Sequence, residues 1–190
     1  MAIVIGKQAR RWTYEEYYKL DDDQRYEIID GDLLPMAPSP NLWHQDWLGN
    51  LHVLFRQHLA KSKAGRVFIP PFDVVLDSEN TVQPDLIFVA AANLEIIEKR
   101  AIFGAPDLLV ELLSPSSIRR DRHRKKALYA RFGVKEYWIG DPANNSMEIF
   151  VLRGGRYEQY CLVTEKGKLL SKVLPKLEID LADVQSLSDI

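Results

Sequence analysis

Along the 190-residue chain the hydrophobic and polar positions change period several times, and each change predicts an element. Thr13 followed by Glu16 forms a capping box, so a short helix is expected over Tyr14 to Leu20. Arg25 to Ile29 reads as a strand, Asp30-Gly31 as a hairpin turn, and Asp32 to Met36 as the returning strand. Ser39 before Pro40 supplies a cap residue and then proline at the first helical position. The helix that begins there should reach about Lys61, because Trp47, Leu48, Leu51, Leu54, Phe55 and Leu59 recur on one stripe. Short β-rich runs follow at Val67 to Ile69, Phe72 to Leu76 and Val82 to Val89. A minor helix around Asn93 to Lys99 precedes a strand at Asp107 to Leu113. Ser114-Pro115-Ser116-Ser117 then breaks the chain before a basic helix that Gly133 ends. Glu136 to Ile139 is a further strand, and Met147 to Leu152 with Arg156 to Val163 flank Gly154-Gly155 as a hairpin. Beyond Lys172 no single period dominates.

Successive strands with few helices between them exclude a purely doubly wound sheet. They predict an α/β (α+β) fold, a mixed sheet flanked by helices. No repeat, low-complexity stretch or linker divides the chain, so one domain over residues 1–190 is expected. Hydrophobic residues at 46% suffice for a sizeable core. Cys161 stands alone, which excludes an internal disulfide and suits a reducing compartment. The apolar run Ala2 to Ile5 is too short for a signal-peptide core, and no later run approaches a membrane span. A cytoplasmic location is expected.

The net charge of −2 argues against a protein that coats nucleic acid nonspecifically. Its distribution changes that picture. Ile118 to Phe132 holds seven basic residues against Asp121 alone, +6 in one segment, so the rest of the chain sums to −8. Such a segment either meets a phosphate backbone or forms a solvated helix face, and charge alone leaves both open.

Two acids stand in unexpectedly apolar company. Asp85 follows Val82-Gln83-Pro84 and precedes Leu86 to Val89; Glu111 interrupts Leu108 to Leu113. A buried charge needs a proton, a partner or a metal. One strand acid is ordinarily explained by a salt bridge, but two on successive buried strands are harder to explain so. At a separation of ~5 Å and an effective dielectric of ~20 they would repel by roughly 3 kcal/mol. A divalent cation with a taste for oxygen, Mg²⁺ or Mn²⁺, is the simplest remedy. Lys125 is the third element. Asp121, Leu128, Tyr129 and Phe132 lie four before and three, four and seven after it, so Lys125 falls on the inward stripe of its helix. Lys126 lies about 100° away and is expected in solvent. His44 falls on the inward stripe of the long helix, where a hydrogen-bonded core histidine is the ordinary reading.

Val82-Gln83-Pro84-Asp85 followed by Val110-Glu111 resembles the signature of the PD-(D/E)XK, restriction-endonuclease-like nuclease superfamily. Further pieces resemble one bacterial branch, the Uma-two family of endonucleases. They are Tyr26 to Leu33, Ala37-Pro38-Ser39 with His44, Glu111 to Ser116, Lys125 to Tyr129, and Gly133 to Trp138 running to Asp141-Pro142. The resemblance covers roughly Trp12 to Tyr160. It departs at one point: the superfamily lysine two residues after the glutamate is Leu113 here, and the resemblance places it on the following helix, at Lys125 or Lys126.

The resemblance implies a restriction-endonuclease-like core with an N-terminal and a C-terminal hairpin. It also implies a metal-dependent endonuclease hydrolysing phosphodiester bonds, DNA ahead of RNA. Asp85, Glu111 and the Leu112 carbonyl would hold the metal, Lys125 would serve the transition state, and Glu27 and His44 would join the site. Arg119, Arg120, Arg122 and Arg124 would contact the nucleic-acid backbone. No membrane partner is expected, and a homodimer stays open. A non-catalytic binding module of the same fold, or a hydrolase of small phosphoesters, is the alternative.

Overall fold

A computed structural model describes residues 10–36 and 41–185. Helix α1 (Tyr14–Tyr17) leads into the hairpin β1 (Tyr26–Ile29) and β2 (Asp32–Pro35), followed by the long α2 (Leu42–Ser62). Next come β3 (Gly65–Phe68), β4 (Asp73–Asp77), β5 (Asn80–Val82), β6 (Leu86–Ala90), a 3₁₀ stretch at Ala91–Ile96, β7 (Ala101–Phe103) and β8 (Leu108–Leu112). A π-helical stretch, Arg120–Lys125, continues as α3 (Lys126–Arg131) before β9 (Glu136–Asp141), β10 (Ser146–Arg153) and β11 (Arg156–Thr164). β12 (Lys168–Leu170), β13 (Glu178–Asp180) and α4 (Leu181–Val184) follow.

The strands divide into a five-stranded sheet, β2-β1-β5-β4-β7, a six-stranded sheet, β11-β10-β9-β8-β6-β3, and the pair β12-β13. Both large sheets are mixed: β4 with β7 and β8 with β9 run parallel, and their other pairs antiparallel. Both expected hairpins are present. No helix among the described residues is long and apolar enough to cross a membrane.

Alternation along β6, β8 and β9 feeds two cores. Leu86, Phe88, Leu108, Val110, Leu112 and Trp138 pack under α2 with Trp47, Leu51 and Phe55. Ile87, Val89, Leu109, Leu113, Tyr137 and Ile139 face the other way, against Leu128 and Tyr129. With both faces covered, these strands read as continuous aliphatic runs. Glu111 shares the face of Leu109 and Leu113 and therefore turns toward the basic helix.

Several elements differ from expectation. The run Val82 to Val89 is two strands in two sheets, broken at Gln83 to Asp85; Pro84 has no N–H to give a ladder, and the chain changes sheet there. Ser39 and Pro40 lie outside the described residues, and α2 begins at Leu42 with Asn41 as its cap, accepting from His44 N–H at 3.0 Å. Helix α1 keeps its capping box but stops at Tyr17. The Asn93 to Lys99 helix is the 3₁₀ stretch two residues earlier, and the three-residue β7 was too short to signal. The basic helix opens with π geometry. Leu169, Leu174, Leu177, Ile179, Leu181 and Val184 of the tail seal the core beneath α2.

Gly65 shows how tightly β3 joins β6. A Cβ built there would sit 2.1 Å from the Val89 carbonyl oxygen and 2.9 Å from Ala90 Cα. Gly65→Ala should therefore force the strands apart and destabilise by about 1–3 kcal/mol. A melting temperature lowered by roughly 2–4 °C per kcal/mol is the expected readout, and an unchanged melt would show that the edge strand yields freely.

Candidate active site

The antiparallel register pairs Leu86 with Val110 and Ile87 with Leu109. One further step places Asp85 opposite Glu111. Asp85 lies in the chain's passage between sheets, its side chain 17% exposed, and Oδ2 accepts from Leu112 N–H at 2.7 Å. His44 Nε2, from the first turn of α2, approaches the same oxygen at 3.2 Å. Burial pushes the His44 imidazole down, but the hydrogen bond and charge of Asp85 outweigh it, and the net direction is upward.

Glu111 is buried from all sides. Its Oε1 accepts from Lys125 Nζ at 2.8 Å and from the Tyr129 hydroxyl at 2.6 Å. Lys125 Nζ also meets Glu27 Oε1 at 2.7 Å, and Asp121 Oδ1 at 3.8 Å. Glu27 comes from β1 in the other sheet, is fully buried, and accepts from Gln83 N–H at 3.1 Å. Arg120 Nε stands 3.5 Å from Glu27 and 4.0 Å from Asp121. Desolvation drives the Glu111 carboxyl well above its ordinary range; Lys125 opposes this, while Asp121, Asp85 and Glu27 add to it. Burial also raises the Asp121 carboxyl. Lys125 is pushed down by burial but further up by Glu111, Glu27 and Asp121, so it stays an ammonium.

All of these polar side chains except Tyr129 line a cleft of about 480 Å³ together with Arg25, Asn41, Gln45, Pro70 and Ser114 to Ser117. Four carboxylates (Glu27, Asp85, Glu111, Asp121) face three permanent cations, Lys125, Arg120 and the exposed Arg25 at the rim. An excess of negative charge on hard oxygen donors suits a divalent cation of the Mg²⁺ type. The hydrogen bonds described engage Oδ2 of Asp85 and Oε1 of Glu111, so each carboxylate has a second oxygen. Among the described residues no three Asp, Glu, His or Cys side chains form a metal cage by themselves. A cation here would be held by two carboxylates and a main-chain carbonyl and would keep several waters, as Mg²⁺ commonly does.

A family model named Uma2 and described as "Putative restriction endonuclease" matches residues 14–182. The chain belongs to the Uma2 family. Among solved structures, a chain from Anabaena variabilis ATCC 29413 described as "a putative nuclease belonging to DUF820" superposes with a TM-score of 0.75 at 18% identity. The match covers 92% of this chain and 97% of that one, and at this identity it concerns the fold. No curated protein matches the chain. The Uma2 match contains every side chain of the cleft named above.

The Uma2 cleft thus gathers Asp85, Glu111, Lys125, Glu27 and His44, while Ala37 to Ser39 lie outside the described residues. The four arginines separate. Arg120 faces the cleft, Arg119 is exposed, Arg122 pairs with Glu148 at 2.6 Å, and Arg124 pairs with Asp32 at 2.9 Å. Lys126 is not simply solvated: it is half-buried, and its Nζ lies 3.3 Å from the centroid of the Phe150 ring. Tyr129 and Asp121 belong to the site although their residue types read as core aromatic and helix-surface acid. Their signal was spacing, since each is one turn from Lys125.

Removing Lys125 should take the ammonium from three buried acids, stranding Glu111 and leaving Glu27 and Asp121 with Arg120 as their cation. Lys125→Met is expected to lose about 3–5 kcal/mol at neutral pH. Glu111 has a folded-state pKa above its unfolded value, so its contribution to stability is full below the unfolded carboxyl range and is lost as pH rises through the folded value. The deficit of Lys125→Met should therefore shrink in mild acid, where Glu111 takes up a proton. Urea denaturation of both proteins at neutral and mildly acidic pH measures this; a deficit independent of pH would show that Lys125 acts by packing alone.

Proposed function

We propose that this chain is a metal-dependent endonuclease that hydrolyses phosphodiester bonds, DNA ahead of RNA, in the cleft between the two sheets. One observation carries the reading: Leu112 N–H holds Asp85 at the Glu111 position of β8, and Lys125 is bonded to that same glutamate. The description of the Uma2 family and that of the Anabaena chain support it.

Asp85, Glu111 and the Leu112 carbonyl would hold Mg²⁺ or Mn²⁺, which when bound polarises a phosphate and acidifies a water. The protein's own groups do the rest. Lys125 keeps its proton and is fixed by carboxylates from both sheets, so its positive charge is aimed without reorganisation where negative charge grows on the phosphate. Glu27 and His44 act as positioning residues, the first through Lys125 and the second through Asp85. Exposed Arg119 is placed to meet the backbone, and Arg120 on the cleft wall would do so from beside Glu27 and Asp121. Arg122 and Arg124 can do so by exchanging Glu148 and Asp32 for phosphate.

Plasmid cleavage with Mg²⁺, Mn²⁺ or EDTA tests the proposal. Asp85→Asn, Glu111→Gln and Lys125→Ala should each lower the rate ~100-fold or more, the scale of losing one preorganised charge. Lys126→Ala should stay close to wild type, because its ammonium rests on Phe150. Calorimetry with Mn²⁺ should show one site that weakens sharply in Asp85→Asn. Cleavage that persists in EDTA would sink the metal assignment. A wild type that cuts neither DNA nor RNA with any divalent ion would favour a binding module.

A further inference from the structure

At the far end of the seam between α2 and β3 lies a second concavity of about 440 Å³. Arg56 and Lys63 border it from the α2 side and Arg66 from β3, over a floor of Leu59, Val67 and Leu94, and no acid lines it. All three cations are exposed, and none has an ion-pair partner among the described residues. The basic helix is the contrast, since Arg122, Arg124, Lys125 and Arg131 each meet an acid there. A helix C-terminus explains one unopposed cation, here Lys63, through its partial negative charge. It does not explain Arg66 on a strand, or Arg56 well before the last turn.

The two concavities share one flank of the same helix. Gln45 and Leu48 of α2 line the cleft, and Arg56, Leu59 and Lys63 line the groove. His44 lines the cleft and Ala60 the groove as well, and at about 100° per residue these seven positions fall within roughly 160° of arc, one side of the helix. β3 and the residues after it form the opposite wall, with Ile69 and Pro70 at the cleft and Gly65 to Phe68 at the groove. From Gln45 to Lys63 the helix rises ~27 Å. That is about eight nucleotide steps at ~3.4 Å each.

We propose that this groove is a second binding site for the phosphodiester backbone, which leaves the cleft along the α2–β3 seam and is held by Arg56, Lys63 and Arg66. The proposal rests on the nuclease reading and adds the path of the substrate. The apolar floor makes the contact one of charge and shape without base reading, as suits groups that meet phosphate alone.

The test uses the full chain in EDTA and a fluorescent 24-base-pair DNA duplex, with the dissociation constant measured across a salt series. Arg56→Gln/Lys63→Gln/Arg66→Gln should bind roughly tenfold or more weakly, and the slope of log K against log salt should flatten by about 2.7, for three lost phosphate contacts. Lys99→Gln/Lys166→Gln/Lys176→Gln removes the same charge from exposed sites outside both concavities and should retain the wild-type slope. An unchanged slope in the groove variant overturns the groove while leaving the nuclease reading intact. Equal losses in both variants also overturn it, since net charge would then be the cause. If wild type neither binds the duplex nor cuts plasmid, the nuclease reading fails and the groove falls with it.

Discussion

Both large sheets and the basic helix converge on one ammonium group. Lys125 Nζ joins Glu111 of the six-stranded sheet, Glu27 of the five-stranded sheet and Asp121 of its own helix, and each of these groups is almost wholly shielded from water. Charges so buried are tolerated only in company. The cluster therefore dictates how close the two sheets and the basic helix must come. Tyr129 completes it by donating to Glu111 the hydrogen bond that water would otherwise supply.

The other side of the six-stranded sheet makes that arrangement rigid. Trp47, Leu51 and Phe55 of α2 press on β6, β8 and β9, and Glu136 fastens the tail by accepting from Lys172 N–H at 2.7 Å and Val173 N–H at 3.0 Å. The same α2 that covers the core delivers His44 to Asp85 from its first turn. Site and scaffold are thus not separable parts: a helix placed by apolar packing also orients a carboxylate.

What the sequence reveals divides along the range of the interactions. The hairpin at Asp30-Gly31, the stripe on α2 and the aliphatic run around Glu111 are local signals and translate directly into structure. Lys125 facing inward follows from spacing alone. The break at Pro84 is harder to read, because Val82 and Leu86 are equally apolar and only tertiary pairing assigns them to different sheets. The three-residue β7 carries too little pattern to be seen. Neither ion pairs such as Arg124 with Asp32 nor the meeting of Glu27 with Lys125 can be read from spacing, since each joins residues far apart in the chain. Charge counting along Ile118 to Phe132 accordingly overstated how much positive charge is unopposed there.

Carrying Lys125 on a helix and not on β8 has an evolutionary consequence. Leu113, two residues after Glu111, packs in the core with Leu109 and Ile139. The distance between Glu111 and Lys125 is then set by the length of the connection through Ser114 to Arg119 and by the π turn after it, not by the fixed rise of a strand. A one-residue insertion in that connection would rotate Lys125 out of the acid cluster. The same insertion at Gly154-Gly155, in the turn of an exposed hairpin, would disturb only the turn. Related chains should consequently vary freely in length at the second position and hold it constant at the first.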